Sequence, residues 1–508
     1  MLQTHGSVVF LAGEHAYKVK KPVDLGFADF TTLERRRANC EAEVILNRRL
    51  APSVYLGVVP IVDRDGAVRV GGGGPAVEYA VRMARLPEEA TFLAALRRGE
   101  LGREDVALVA RRLAGFHARA ETGPEVARWA RFEAVARNAR ENFEQTARFR
   151  GDTVSAAVWE RLRAATEAEL ASRRGLIEER ARPGVARDTH GDLHLAHVYR
   201  FPGREPPEDL VIVDCLEFSE RYRFADPVSD VAFLAMDLRF HGRPDLARAF
   251  ADAWAEASGD GAGLELLPHY TAYRAVVRAK VESLEAAEEE VPEGQRRATR
   301  RRARGHFLLA LRVLAPPAER PCLVVAAGLP GTGKSRLARG LEERAGFARI
   351  ASDAVRKELA GLDPHRPAAA PVDRGIYTPE WTERTYAACL ERAEAALFEG
   401  RRVVIDAGYR EEARRREVLE AARAWGVEGL LLVCEAPAEA VRRRLEARAG
   451  APGADPSDAG WEVYQALAGR WEEPSPETAP AVHPIDTGGP PEASLERALD
   501  ALRTAGLL

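Results

Sequence analysis

The chain has 508 residues, 46% of them hydrophobic, enough apolar material for the cores of two to four domains. Its 74 basic and 78 acidic residues leave a formal net charge of −4, which excludes a field over the whole molecule that would draw in nucleic acid or an anionic membrane. No apolar run reaches the roughly 20 residues that cross a bilayer, and Met1–Gly6 carries no charged and apolar leader. A cytoplasmic protein without a membrane partner is therefore expected. The five cysteines, Cys40, Cys215, Cys322, Cys389 and Cys434, are scattered and odd in number, which fits reduced thiols rather than disulfides or a zinc site.

In chain order, Val8–Gly13 and the alternating His15–Lys20 read as two strands. Lysine is scarce: Lys18, Lys20, Lys21, Lys280, Lys334 and Lys357 are the only ones, so a surviving lysine marks a place where a compact ammonium is needed. Asp65-Gly66 between Pro60–Val62 and Val68–Val70 predicts a hairpin turn, and Gly71–Gly74, with no helix start after it, predicts a flexible turn. His117 lies on a helix with Leu113 and Phe116 and reads as a packed residue. Downstream, His190-Gly191-Asp192-Leu193-His194-Leu195-Ala196-His197 precedes the apolar strand Leu210–Val213, which ends at Asp214. A short-loop Asp followed by a second Asp after the next strand is the spacing by which kinases orient an acceptor hydroxyl and hold Mg²⁺ on phosphates. His190, His194 and His197 are read as shaping that loop rather than as a zinc cluster, and Asp226 and Asp230 as bracing the loop after Asp214.

Glu285–Glu293 is acidic and Arg296–Arg304 is arginine-rich, a pairing expected to give a solvated, salt-bridged helix pair in preference to an RNA contact. Ala315–Pro321, with its prolines, predicts a boundary between domains 1–315 and 316–508.

The second half opens on the strand Cys322–Ala327, the segment Gly328-Leu329-Pro330-Gly331-Thr332-Gly333-Lys334-Ser335, and a helix from Arg336. Strand, glycine loop and helix together form a phosphate cradle: glycines let backbone N–H groups converge, Lys334 neutralises β/γ oxygens, and the Ser335 hydroxyl can ligate Mg²⁺. A nucleoside triphosphate is the expected ligand. A helix from Thr382 to Phe398 and the strand Arg401–Ile405 continue the α/β alternation. Asp406 follows that strand, where a carboxylate holds Mg²⁺ through water, and Ala407 stands where hydrolysing ATPases carry a glutamate, which favours transfer over hydrolysis.

The first 315 residues resemble the aminoglycoside phosphotransferase family, in particular a bacterial branch that fuses such a domain to a P-loop kinase. That resemblance implies an α+β protein-kinase-like N-terminal domain followed by an α/β P-loop kinase domain with a parallel sheet. It makes Lys18 the lysine contacting the α/β-phosphates, with Lys20 as runner-up, and Glu43 its helix partner. It makes Asp192 the catalytic base, Asp214 the principal metal ligand, and Val77–Ala84 the strand leading to the adenine hinge. The family motif ends in Asn, a second Mg²⁺ ligand, where this chain has His197. The second half is similar to kinases of the gluconate kinase, polynucleotide kinase and zeta-toxin type. There, Asp353 would be base for an acceptor hydroxyl and Arg356 would face its polar groups. Glu439–Arg448 would be the lid, with Arg444 or Arg448 on the transferring phosphoryl group, and Gly450–Asp458 a mobile loop.

These implications combine into an ATP- and Mg²⁺-dependent phosphotransferase with two kinase-like domains and a small-molecule hydroxyl acceptor. Two alternatives stay open: one domain senses nucleotide for the other, or the chain modifies RNA as a repair or toxin-like kinase. Neither the acceptor nor the oligomeric state is legible in the sequence.

Overall fold

The computed structural model of the chain describes residues 2–3, 6–24, 26, 28–64, 66–363, 374–449 and 459–508. Asp65 of the expected hairpin turn and the loop Gly450–Asp458 lie outside the described residues. The chain divides into two compact units, the first comprising residues 1–144 and 166–275, the second 145–165 and 276–508.

The first unit begins with strands β1 (Leu2–Gln3), β2 (Ser7–Ala12), β3 (His15–Lys20), β4 (Tyr55–Arg64), β5 (Ala67–Val70) and β6 (Ala76–Ala84). Among the described residues they form a six-stranded sheet in the order β1-β2-β3-β6-β4-β5, with every pairing antiparallel. The helix Leu33–Asn47, capped by Thr32 accepting from the Arg35 N–H, buries Cys40, Glu43, Val44 and Asn47 along one face. The apolar members pack with Val54, Tyr55, Val81 and Val211, and each such side chain removed from water contributes about 1.5–3 kcal/mol. Glu43 shares that buried face, so its carboxylate is driven to find cations.

Short ribbons follow: β7 (Arg187–Asp188) pairs with β10 (Phe224–Ala225), and β8 (Val198–Arg200) with β9 (Leu210–Ile212). They frame the His190–His197 loop from both sides in sequence. Beneath lies a helical core drawn from Arg103–Arg119, Val228–Phe240 and Pro244–Ser258, including Val109, Leu113, Leu234, Leu238, Phe250 and Trp254. Val228–Phe240 is buried around nearly its whole circumference, as its apolar composition demands.

The second unit holds a five-stranded parallel sheet: β11 (Cys322–Ala327), β12 (Ala348–Ala351), β13 (Arg402–Asp406), β14 (Glu428–Glu435) and β15 (Val482–Asp486), in the order β12-β13-β11-β14-β15. Every residue of β11 is buried, consistent with a central strand covered on both faces. The helix expected from Thr382 starts earlier, at Pro379, because Thr378 caps it by accepting from the Trp381 N–H and proline sits ready at its first position.

Residues 145–165 belong here by their bonds: Thr153 Oγ1 lies 2.7 Å from Ser283 Oγ, Arg300 pairs with Asp152 at 3.0 Å, and Arg161 donates to Gly400 O at 2.8 Å. The arginine block lies on the helix Glu293–Leu314 and is met by acids, Arg296 by Glu293 at 2.7 Å and Arg302 by Glu282 at 3.2 Å. Glu282 and Asp152 lie outside the acidic run 285–293, so the partners of these arginines differ in part from those expected. Among the described residues no helix is long and apolar enough to cross a membrane.

Candidate active sites

In the first unit, alternation along β3 puts Lys18 and Lys20 on one face, opposite the buried Glu43. Lys18 Nζ lies 2.9 Å from Glu43 Oε1 and 2.7 Å from Asp214 Oδ1, whereas Lys20 Nζ lies 2.6 Å from Glu43 Oε2 and 2.5 Å from Glu217 Oε1. The two lysines thus share Glu43 but divide the loop: Lys18 takes Asp214, and Lys20 takes Glu217. Burial alone would lower Lys18, but Asp214 and Glu43 outweigh it and hold the ammonium well above its ordinary value. Glu43 is held low by Lys18 and Lys20 against its own burial, while Glu217 is raised by burial and by the neighbouring Glu43. Desolvation pushes Asp214 up, yet Lys18 first and His197 next bring it below the usual carboxylate range.

Asp214 stands at φ +62°, a left-handed conformation rare outside glycine, and its N–H donates to Tyr55 Oη at 3.1 Å. Its side chain is 40% exposed against 14% for Lys18 and 0% for Glu43, so of the three it is the one open to a solvent-borne ligand. His197 Nε2 lies 3.5 Å from Asp214 Oδ2, and its Nδ1 lies 2.9 Å from the carbonyl oxygen of Asp192. Asp192 Oδ2 is 3.8 Å from His194 Nε2 and 3.7 Å from His197 Nδ1, so Asp192, His194 and His197 form a cluster able to hold a cation.

His190 behaves otherwise. Its Nδ1 accepts the Asp192 N–H at 3.2 Å and its Nε2 donates to Val213 O at 3.0 Å, so it shapes the loop as expected. Burial pushes it down to about 4. The role expected of Asp230 is corrected: it accepts from the N–H groups of His190 at 2.7 Å and Gly191 at 2.9 Å, and thus braces the loop before Asp192 rather than the one after Asp214. Asp226 is elsewhere, bound to Arg180 at 2.5 Å. Packed His117 supports the brace, its Nε2 being 3.1 Å from Asp230 while Nδ1 accepts from Trp254 Nε1 at 3.3 Å. Gly191 is required at φ +85°, where a Cβ would meet Leu216 at 3.1 Å. Arg274 donates to its carbonyl at 3.0 Å and also lines a small cleft with Trp129, Tyr222, Tyr270, Tyr273 and Arg221.

In the second unit the register places the chemistry. Ala326 of β11 and Ala351 of β12 both stand beside Asp406 of β13, so the loop after β11, the turn after β12 and Asp406 share the carboxyl edge of the sheet. Gly328 donates to Gly408 O at 3.1 Å, and a Cβ there would lie 2.6 Å from Cys434 O. Gly331 stands at φ +77°, its missing Cβ 2.9 Å from Leu445. The loop therefore keeps its bare backbone for steric reasons as well as for the ligand. Gly333 caps the helix Lys334–Ala345 at φ +99°, and this twelve-residue helix points its N-terminus at the loop. Lys334 Nζ donates to Leu329 O at 2.8 Å, as does Thr332 Oγ1. The Ser335 side chain stands one position inside the helix.

Asp353 lies in the first turn of the helix Ser352–Leu359, half-buried, directly after β12. Asp406 is buried and pairs with Arg349 at 3.2 Å. Arg444 Nη2 donates to Thr487 O at 2.5 Å beside Gly333, and its Nη1 is buried with no partner among the described residues. Of the other expected arginines, Arg356 donates to Ile376 O at 2.8 Å and Thr382 Oγ1 at 3.3 Å, and Arg448 donates to Ala459 O. Thr487 and Arg349 were not found by motif reading. Thr487 Oγ1 lies 2.5 Å from Thr332 O and 2.7 Å from Glu435 O, pinning the phosphate loop to the end of β14, and only its place after a terminal strand hints at it. Glu217 was missed likewise, although an acid three residues after Asp214 was a readable signal.

A family model of the AAA domain matches residues 323–474, which contain the phosphate loop and Asp406. Solved structures similar to the chain include a gluconokinase from Sinorhizobium meliloti 1021, 20% identical over 37% of this chain and 93% of its own, TM-score 0.27. A glucosamine kinase is 19% identical over 49% of this chain and 64% of its own, TM-score 0.31. Among curated proteins, the uncharacterised Rv2004c of Mycobacterium tuberculosis and Mb2027c of Mycobacterium bovis are each 34% identical over 506 residues, 99% of this chain and 95% of theirs. Across both units, then, the chain belongs to the same family as these mycobacterial proteins.

Proposed function

We propose that the chain is an ATP-dependent phosphotransferase in which each unit binds nucleotide with Mg²⁺ and delivers a phosphoryl group to the hydroxyl of a small molecule. The observation that carries the reading is the meeting of Lys334, Ser335, Asp353 and Asp406 at the carboxyl edge of one parallel sheet. The cradle fits triphosphate: Gly328 and Gly331 leave no room for a Cβ, its helix N-terminus favours anions, and Lys334 now rests on a carbonyl that phosphate oxygens would replace. Bound ATP supplies the group transferred, and bound Mg²⁺ offsets the charge on its oxygens.

This chain's residues do the rest. In the second unit Ser335 and Asp406 hold the metal, Asp353 takes the acceptor proton, and Arg444 lends positive charge from its place beside Gly333. Magnesium binding at Asp406 requires Arg349 to yield or share that carboxylate. In the first unit Lys18, oriented by Glu43, meets phosphate oxygens, Asp214 and His197 hold the metal, and Asp192 orients the acceptor hydroxyl. The protein-kinase-like reading of that unit is supported by Lys18 bridging Glu43 and Asp214 across 196 positions of sequence. Nucleic acid is not the acceptor in this reading, since Arg296, Arg300 and Arg302 are engaged by acids.

Screening a metabolite mixture with labelled ATP tests the proposal, with the full chain run beside Asp192→Asn and Asp353→Asn. Each variant is expected to lose one set of labelled products. Retention of every product by both variants would remove the assignment of the two bases. A regulatory first unit remains the second reading, favoured by the imidazole of His197 beside Asp214. It predicts nucleotide binding by that unit with no product that depends on Asp192.

A further inference from the structure

The loop around Asp192 places a nitrogen donor where its neighbours are oxygen donors. His197 Nδ1 lies 2.9 Å from the Asp192 carbonyl, which can only accept, so Nδ1 carries a proton and Nε2 is the ring nitrogen turned toward Asp214. Nε2 lies 3.5 Å from Asp214 Oδ2, too long for a good hydrogen bond. That spacing suits a cation shared by the two atoms, because metal bonds of about 2.0–2.2 Å set neighbouring donors about 3–3.5 Å apart. An Nδ1–H bound to a backbone carbonyl is moreover the arrangement that fixes a metal-ligating histidine. A second imidazole stands by: His194 lies tilted against His197 with ring centroids 3.7 Å apart, its Nε2 3.8 Å from Asp192 Oδ2. Asp214 Oδ1 is held by Lys18, which leaves Oδ2 as the ligand atom.

We infer that the first unit takes its divalent cation between Asp214 Oδ2 and His197 Nε2, and that this mixed nitrogen and oxygen pair selects a first-row transition-metal cation over Mg²⁺, Mn²⁺ being the least favoured of that series. Magnesium prefers an all-oxygen shell, whereas affinity for a nitrogen-containing site rises from manganese along the first-row divalent metals. In the second unit the expected ligands, Ser335 and Asp406, offer only oxygen. The inference rests on the assignment of Asp214 and His197 as metal ligands, and adds to it the two ligating atoms and, for this unit, a choice of ion other than Mg²⁺.

Pulsed electron paramagnetic resonance on the full chain with Mn²⁺ and no nucleotide reads it directly. Nitrogen modulation of the manganese signal is expected, and selective ¹⁵N labelling of histidine should change its frequency. His197→Asn should erase the modulation and shift the ratio of Mn²⁺ to Mg²⁺ affinity toward magnesium by at least about tenfold, since loss of even an outer partner of a ligand costs that much. Wild-type protein that binds Mn²⁺ without nitrogen modulation would overturn the inference, whatever the folding of the variant. So would modulation that persists unchanged in His197→Asn. Asp214→Asn separates the two claims. If it abolishes Mn²⁺ binding while wild type shows no nitrogen, Asp214 stands as a ligand and His197 does not; if binding ignores Asp214 altogether, the metal reading of the first unit fails as well.

Discussion

The two sites are built on opposite plans. In the second unit the phosphate loop is eight consecutive residues whose function resides in the backbone, so side chains were removed wherever they would intrude, as at Gly328 and Gly331. In the first unit nothing is consecutive: Lys18, Glu43, Asp192 and Asp214 come from a strand, a helix and two loops, and they are assembled by charge. Each site is therefore vulnerable in its own way. A backbone cradle depends on conformation and on one lysine; a charge-assembled site depends on protonation and on every member of its network.

Lys334→Ala tests this contrast most severely. Calorimetry on the full chain should show two nucleotide sites, of which the variant loses one, with transfer by the second unit falling on the order of 10²–10³-fold. A single site that disappears in the variant would mean the charge-assembled site does not bind nucleotide. Next in size, Asp353→Asn and Asp192→Asn should each reduce transfer by their own unit on the order of 10²-fold while sparing ATP affinity, as for loss of a positioned base. Asp214→Asn should instead weaken Mg²⁺-dependent binding. Identical behaviour of Asp192→Asn and Asp214→Asn would dissolve the division of roles.

Acid should then separate the units. Burial holds both His190 and His269, in the first unit, down to about 4, below the ordinary 6.5. Because the folded value lies below the unfolded one, each contributes stability that is complete above about pH 6.5 and lost as pH falls toward 4, on the order of 3 kcal/mol apiece. In the second unit His483, more open, is lowered without comparable burial. Thermal unfolding followed at pH 7 and pH 5 should therefore show the first unit losing more; an equal loss in both would refute burial of the neutral rings as the cause. The smallest effect is expected from Arg302→Gln, whose half-exposed bridge to Glu282 is worth at most about 1 kcal/mol. RNA retention that collapses in Arg301→Gln/Arg302→Gln would contradict the view that these arginines serve the helix.

These contrasts also govern what was readable beforehand. A contiguous motif can be found in sequence, and the strand, loop and helix at Cys322–Ala345 lie almost where spacing puts them. Antiparallel alternation likewise revealed β2 and β3. The different partners of Lys18 and Lys20 were not readable, because both point the same way from β3. In space Lys18 meets Asp214 and Lys20 meets Glu217, three residues apart on a segment nearly 200 positions downstream. Asp230 was noticed but given the wrong loop, since its partners are backbone N–H groups, which carry no sequence signature. The contacts that Arg356 makes to Ile376 and Thr382 are likewise encoded in no local pattern.

The discontinuity of the second unit has a consequence for how the protein is made. Residues 145–165 are synthesised long before residues 276–508, so the Thr153–Ser283 and Asp152–Arg300 bonds cannot close until most of the intervening chain has emerged. During that interval the segment waits without its partners, and folding of the second unit is tied to the completion of the chain. A ribosome-stalled product ending at residue 275 should be cut by protease within 145–165 and lose that sensitivity once 276–508 is added. Protection already present in the shorter product would show that this segment is ordered without the remainder of its unit.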